Sequence, residues 1–214
     1  MMKKFLSYAI PSALAMFISS LYTVIDGIFV GQGVGDLALA AVNVVIPLTI
    51  MLFGMATMFA VGGGALISKN FGSGNIQNAN VMFRQVFKFL LILSLFISII
   101  CFLFTGPIVK GLGATPDLYE SAKIYLRFYS IFCIPNIIGI ALNSFIRNDG
   151  NPKLAMIATI SGAITNIVLD YLFIFPLQLG LFGAALATGL GQLVTVSILL
   201  IHFIRRQGQL RFGN

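Results

Sequence analysis

The chain has 214 residues, of which 58% are hydrophobic and only 9% charged, and its formal net charge is +7. Soluble domains carry about a quarter charged residues, so a water-facing surface cannot be built here and lipid is the expected solvent. Transmembrane strands would alternate over about ten residues. The apolar runs here are longer and do not alternate, which leaves helices, whose backbone groups are satisfied internally in hydrocarbon.

About twenty apolar residues cross a bilayer. That measure predicts an all-α integral membrane protein with spans at 5–30, 39–67, 86–105, 119–146, 154–175 and 181–204, making one six-helix lobe over 1–214 with no soluble domain. The first run is too long for a signal peptide and lacks a cleavage site. Spans two and four are long enough to tilt or to project beyond the hydrocarbon. Turn chemistry separates the spans: Gly31-Gln32-Gly33-Val34-Gly35, Gly72-Ser73-Gly74-Asn75, Gly106-Pro107, Asn148-Asp149-Gly150-Asn151-Pro152, and Pro176 followed by Gly180. Pro11, Pro47 and Pro135 fall inside spans one, two and four, where each removes a backbone donor and can kink its helix. Gly62-Gly63-Gly64 allow close helix contact, and Cys101 and Cys133 read as small core residues.

Basic residues set the orientation. Lys3, Lys4, Lys69, Arg84, Lys88, Arg147, Lys153, Arg205, Arg206 and Arg211 fall on one side, and Lys110, Lys123 and Arg127 on the other. The positive-inside rule then places both termini in the cytoplasm of a multi-pass plasma-membrane protein. Because these charges sit at span ends and not along one helix face, the lipid bilayer is the expected partner and nucleic acid is not.

The acids carry the functional signal. Asp170 lies within an uncharged run from Lys153 to Arg205, and Asp26 ends a run uncharged after Lys4. A carboxylate in a membrane span is costly and usually belongs to an ion pathway or substrate site. At 1.5 Å per residue, Asp26, Asp170 and Thr188 share a depth of roughly 6–10 Å below the outer boundary. Helical phase puts Ser12, Ser19, Thr23 and Asp26 on one stripe of span one, and Thr159, Asn166 and Asp170 on one stripe of span five. Span six offers Thr188, Gln192 and Thr195, and span four Tyr129, Asn136 and Asn143. These seams are expected to turn inward and line a cavity. No Lys or Arg lies on the stripes that carry the acids, so each must take a proton, bind a cation or stay wet. Asn and Thr add neutral oxygens that suit a hard cation.

The chain resembles the multidrug and toxic compound extrusion (MATE) transporters. The resemblance runs through Pro11-Ser12, Asp26-Gly27-Ile28-Phe29-Val30-Gly31, Ala40-Ala41-Val42-Asn43, Pro47-Leu48 and Gly62-Gly63-Gly64-Ala65. It continues through Asn70-Phe71-Gly72-Ser73-Gly74-Asn75, Arg147-Asn148-Asp149-Gly150-Asn151-Pro152-Lys153, Asn166, Asp170, Gly183-Ala184-Ala185 and Ala187-Thr188. It implies a Na⁺- or H⁺-driven antiporter that expels cationic small molecules, with no catalytic residue and no cofactor beyond the coupling ion. It also implies a cation site in the amino-terminal lobe at Asp26, Asn166, Asp170 and Thr188, these four being the metal ligands if the ion is Na⁺.

Family members pair two six-helix lobes about a substrate cavity. One lobe is expected here, so a second six-helix lobe is an expected partner, whether from a longer product or from another chain. Two alternatives stand beside the antiporter. A flippase for lipid-linked precursors calls for a cationic cavity, which spans without buried Arg or Lys do not offer. A non-transporting membrane scaffold or partner subunit is the other.

Overall fold

The computed structural model describes residues 2–213, without the side chains of 2–5, 7 and 8; the side chains of Lys3 and Lys4, used above for orientation, lie outside it. Eight helices follow in order: α1 (Met2–Gly33), α2 (Asp36–Gly72), α3 (Ile76–Leu103), α4 (Thr105–Gly111), α5 (Pro116–Ile131), α6 (Cys133–Asn148), α7 (Pro152–Ile174) and α8 (Gly180–Ile204). Among the described residues, α1, α2, α3, α7 and α8 are each long and apolar enough to cross a membrane, and α5 with α6 make a sixth span bent by 51°. The spans predicted from sequence map onto these helices with three differences.

The first is the break in the fourth span, placed at Phe132 by Pro135 in the first turn of α6. Its ring leaves the Ile131 carbonyl without an N–H and crowds that oxygen, so the helix must open one turn earlier. Ser98 of α3 donates its hydroxyl to the Ser130 carbonyl at 2.7 Å, tying the opened turn to its neighbour. The second is the start of α3, ten residues before the predicted 86. Asn75 caps it by accepting from the Asn78 N–H at 3.0 Å, and Arg84 and Lys88 ride on the projecting turns. The third is α4, a short helix where only a turn was expected.

Pro11 and Pro47 leave α1 and α2 unbroken. Of the three glycines in α2, Gly63 lies against Val86 and Gly64 against Asn148, while Gly62 has open space beside it. The close contact expected of all three holds for two.

Two apolar clusters hold the lobe together. One gathers Leu52, Ile67, Phe83, Leu142, Phe145 and Phe203 toward the end where α6 meets α7. The other gathers Val30, Val45, Leu126, Ile174 and Leu181 at the opposite end. Large side chains such as Phe17, Ile50, Ile92, Phe96 and Ile164 face outward, as a surface solvated by acyl chains permits.

Beyond α8, residues 205–213 fold back as a strap across the first end. Asp149 anchors it: its carboxylate lies 2.8 Å from His202 Nε2 and accepts the Gln209 N–H at 2.8 Å and the Leu210 N–H at 3.3 Å. Asn80 of α3 accepts the Arg211 N–H at 2.6 Å and donates to the Gln209 carbonyl at 3.1 Å. Phe212 packs among Phe83, Phe87 and Phe203. The Asn148–Pro152 connector, read from sequence as a turn alone, is therefore also an anchor.

Candidate functional site

The tightest helix pair in the lobe sets the site. Gly162 of α7 and Gly191 of α8 sit face to face: a Cβ on either would stand 2.8 Å from the other's carbonyl oxygen. No larger residue permits that approach. One turn further along α7, it brings Asn166 against Thr188, and Asn166 Nδ2 donates to Thr188 Oγ1 at 3.4 Å. The Thr188 hydroxyl donates in turn to the Ala184 carbonyl at 3.0 Å.

Asp170 follows Asn166 by one more turn and is fully buried. α1 packs on α7 along this stretch, which sets the Asp26 and Asp170 carboxyls beside each other and Asn166 beside Asp170. Oδ1 of Asp26, Oδ1 of Asn166 and both carboxylate oxygens of Asp170 are buried without a hydrogen-bond partner. Buried oxygens of this kind are normally satisfied by a donor or a cation. The four donors are all hard oxygens, and no three His, Cys, Asp or Glu gather anywhere among the described residues. That set fits a proton or a Na⁺ ion and does not resemble a zinc-type centre.

Below this cluster opens a cavity of about 770 Å³, within the usual size range for a site that takes a drug-sized molecule. Of the residues expected to line it, Ser19, Asn136, Asn143, Thr159, Gln192 and Thr195 do so, and so do Asn166 and Thr188. Asn143 donates to Thr159 Oγ1 at 2.9 Å and Thr195 to the Ala158 carbonyl at 3.3 Å, so part of the polar seam also stitches α6, α7 and α8 together. Ser12, Asp26 and Asp170 of the expected seams are absent from the lining, and so are Thr23 and Tyr129. Thr23 is exposed, its hydroxyl spent on the Ser19 carbonyl at 3.0 Å, and Tyr129 stacks on Tyr125 with ring centroids 6.2 Å apart. Helical phase put both on the right stripe; the break at Phe132 separates Tyr129 from the Asn136–Asn143 part of its seam.

Arg147 was missed. It lies in the last turn of α6 and lines the cavity, and it is the only charged side chain among the lining residues. Arg147 lies one residue beyond the boundary assigned at 146, half-buried with its Nε covered, and reaches the cavity from the end of α6. Tyr22, Phe53 and Thr57 also line the cavity and were not anticipated. Only Tyr22 had a signal, as an amphipathic residue beside the Thr23–Asp26 stripe.

A bundle of helices of membrane-crossing length defines the chain as a multi-pass membrane protein. The family model MatE matches residues 11–172, and the chain belongs to that family. It is 26% identical over 211 residues to the multidrug export protein MepA of Staphylococcus haemolyticus, covering 99% of this chain and 47% of that protein. It superposes on a crystal structure of MATE in the bent conformation with a TM-score of 0.91 and 28% identity, over 99% of this chain and 47% of that one. It superposes on a structure of the MATE multidrug transporter DinF-BH with a TM-score of 0.93 and 32% identity, over 99% of this chain and 48% of that one. The chain spans about half the length of the relatives it matches.

Proposed function

We propose that this lobe serves a Na⁺- or H⁺-coupled antiporter that expels cationic drugs, working with a second six-helix lobe, with both termini in the cytoplasm. The observation that carries the reading is the set of unpartnered buried oxygens on Asp26, Asn166 and Asp170, directly above a drug-sized cavity.

The coupling follows from charge. With the acid pair ionised and empty, its negative potential draws a cationic drug into the cavity and leaves two carboxylates repelling each other across α1 and α7. A proton or Na⁺ entering between them halves that charge and relieves the repulsion between the two helices. Asn166 and Thr188 belong to both places, since they flank the acids and line the cavity. Filling the ion site therefore weakens the attraction for the drug and reshapes its wall in one event. A ligand that binds one state better shifts the equilibrium only by its differential affinity, and here the charge at the acid pair supplies that difference.

The deciding measurement is dye efflux from liposomes carrying the intact transporter, comparing wild type with Asp170→Asn. Loss of the dependence of efflux on the Na⁺ or pH gradient is expected. Efflux that keeps its rate and its ion dependence would remove Asp170 from the coupling site.

A further inference from the structure

We propose that the cavity holds a second, oppositely charged subsite: Arg147 binds an oxyanion, either a carboxylate on the transported molecule or a phosphate. The inference rests on the antiporter reading for the cavity's role, but its test is one of binding, which does not depend on transport.

Three observations support it. First, the Arg147 side chain lies along the cavity wall, with Nε buried and unpartnered and no ion pair among the described residues. Guanidinium groups are suited to carboxylate and phosphate, which they grip with two parallel N–H donors.

Second, the chain has no acid left to neutralise it. Of its six acidic residues, Asp26 and Asp170 lie outside the cavity lining, beyond Asn166, Asp36 starts α2, and Asp117 and Glu120 lie in the first two turns of α5. Only Asp149 is near in sequence. Its carboxylate is spent on His202 and on the Gln209 and Leu210 N–H groups, with 1% of the side chain exposed.

Third, the position is separate from the acid pair. Arg147 precedes the start of α7 at Pro152, whereas Asn166 lies fourteen residues into it, roughly 20 Å away at 1.5 Å per residue. An anion at Arg147 is far enough from the carboxylates to escape most of their repulsion. A molecule whose anionic group meets Arg147 can lay its apolar body along the cavity wall toward Asn166 and Thr188. The class of ligand is one that carries a carboxylate or phosphate on an apolar body.

The test uses the intact protein in phosphatidylcholine nanodiscs, with rhodamine B, which carries a free carboxylate, and its ethyl ester, which keeps the cationic ring system and loses the negative group. Wild type is expected to bind the acid about tenfold more tightly than the ester, as a charge-assisted hydrogen bond would give. Arg147→Gln should abolish that preference by weakening the acid about tenfold, with the ester bound no more weakly than by wild type, and Arg147→Lys should retain part of it. Equal affinity of wild type for both dyes overturns the proposal without any variant, and leaves the antiporter reading intact if the ester still binds. Loss of both dyes together in a folded Arg147→Gln protein also overturns it. A third arm separates the sources of the oxyanion: adding phosphatidylglycerol should weaken rhodamine B binding in wild type only if a lipid phosphate competes for Arg147, and should have no effect if the subsite serves soluble carboxylates.

Discussion

Asn166 donates its amide to the Thr188 hydroxyl across the α7–α8 contact, at 3.4 Å, while its own buried carbonyl oxygen has no partner. One side chain thus faces the acid pair and the cavity together. Thr188→Val keeps the shape and deletes the hydroxyl oxygen. If Na⁺ is the coupling ion, half-maximal activation of efflux should need about tenfold more Na⁺, the loss of one good ligand. If the ion is H⁺, the variant should keep its pH profile. Stopped-flow efflux in Na⁺ and pH gradients reads both outcomes.

The acid pair should behave as a unit. Asp26→Asn and Asp170→Asn each relieve the repulsion that drives uptake of the ion, so either change alone should abolish ion dependence, and the double variant should be no worse. Groups that act together show such non-additivity. Independent, multiplying losses would show that the two carboxylates serve different steps.

Gly162 and Gly62 make a controlled contrast. A Cβ at Gly162 runs into the Thr195 hydroxyl and the Gly191 carbonyl, whereas one at Gly62 meets nothing within 4 Å. Gly162→Ala should therefore cost about 1–3 kcal/mol by forcing α7 from α8, and Gly62→Ala should be neutral. Thermal unfolding in detergent measures the difference, and equal melting temperatures would contradict the close packing described above.

The strap offers a separate test. Asp149→Asn weakens three contacts at one carboxylate, including the buried one to His202, and should cost about 1.5–3 kcal/mol locally. A cysteine placed at Gln209 should then react with a water-soluble maleimide much faster than in the parent. Unchanged labelling would mean the strap is held by Phe212 and its ring neighbours alone.

The number of spans was legible because each apolar run is long enough to cross a bilayer and few charges interrupt it. Phase and depth singled out Asp26, Asn166, Asp170 and Thr188, and the structure places these four side by side. What escaped were features set by packing. Pro135 announced a kink, but a break that carries Tyr129 off the cavity depends on how α5 and α6 lean on their neighbours. Arg147 counted as a boundary charge, since a sequence shows where a side chain attaches and not which way its stem folds. Asp149 and His202 lie 53 positions apart; a lone histidine and a lone connector acid on one side were the available hint.

Stiffness is unevenly distributed in such a lobe. Where α3, the α6–α7 connector and the end of α8 converge, one carboxylate and a nest of phenylalanine rings clamp all three, and little relative sliding is possible. At the far end α1 leans chiefly on α7 and touches α2 and α8 sparsely. The first helix, which carries Asp26, is thus held to the lobe chiefly through one neighbour.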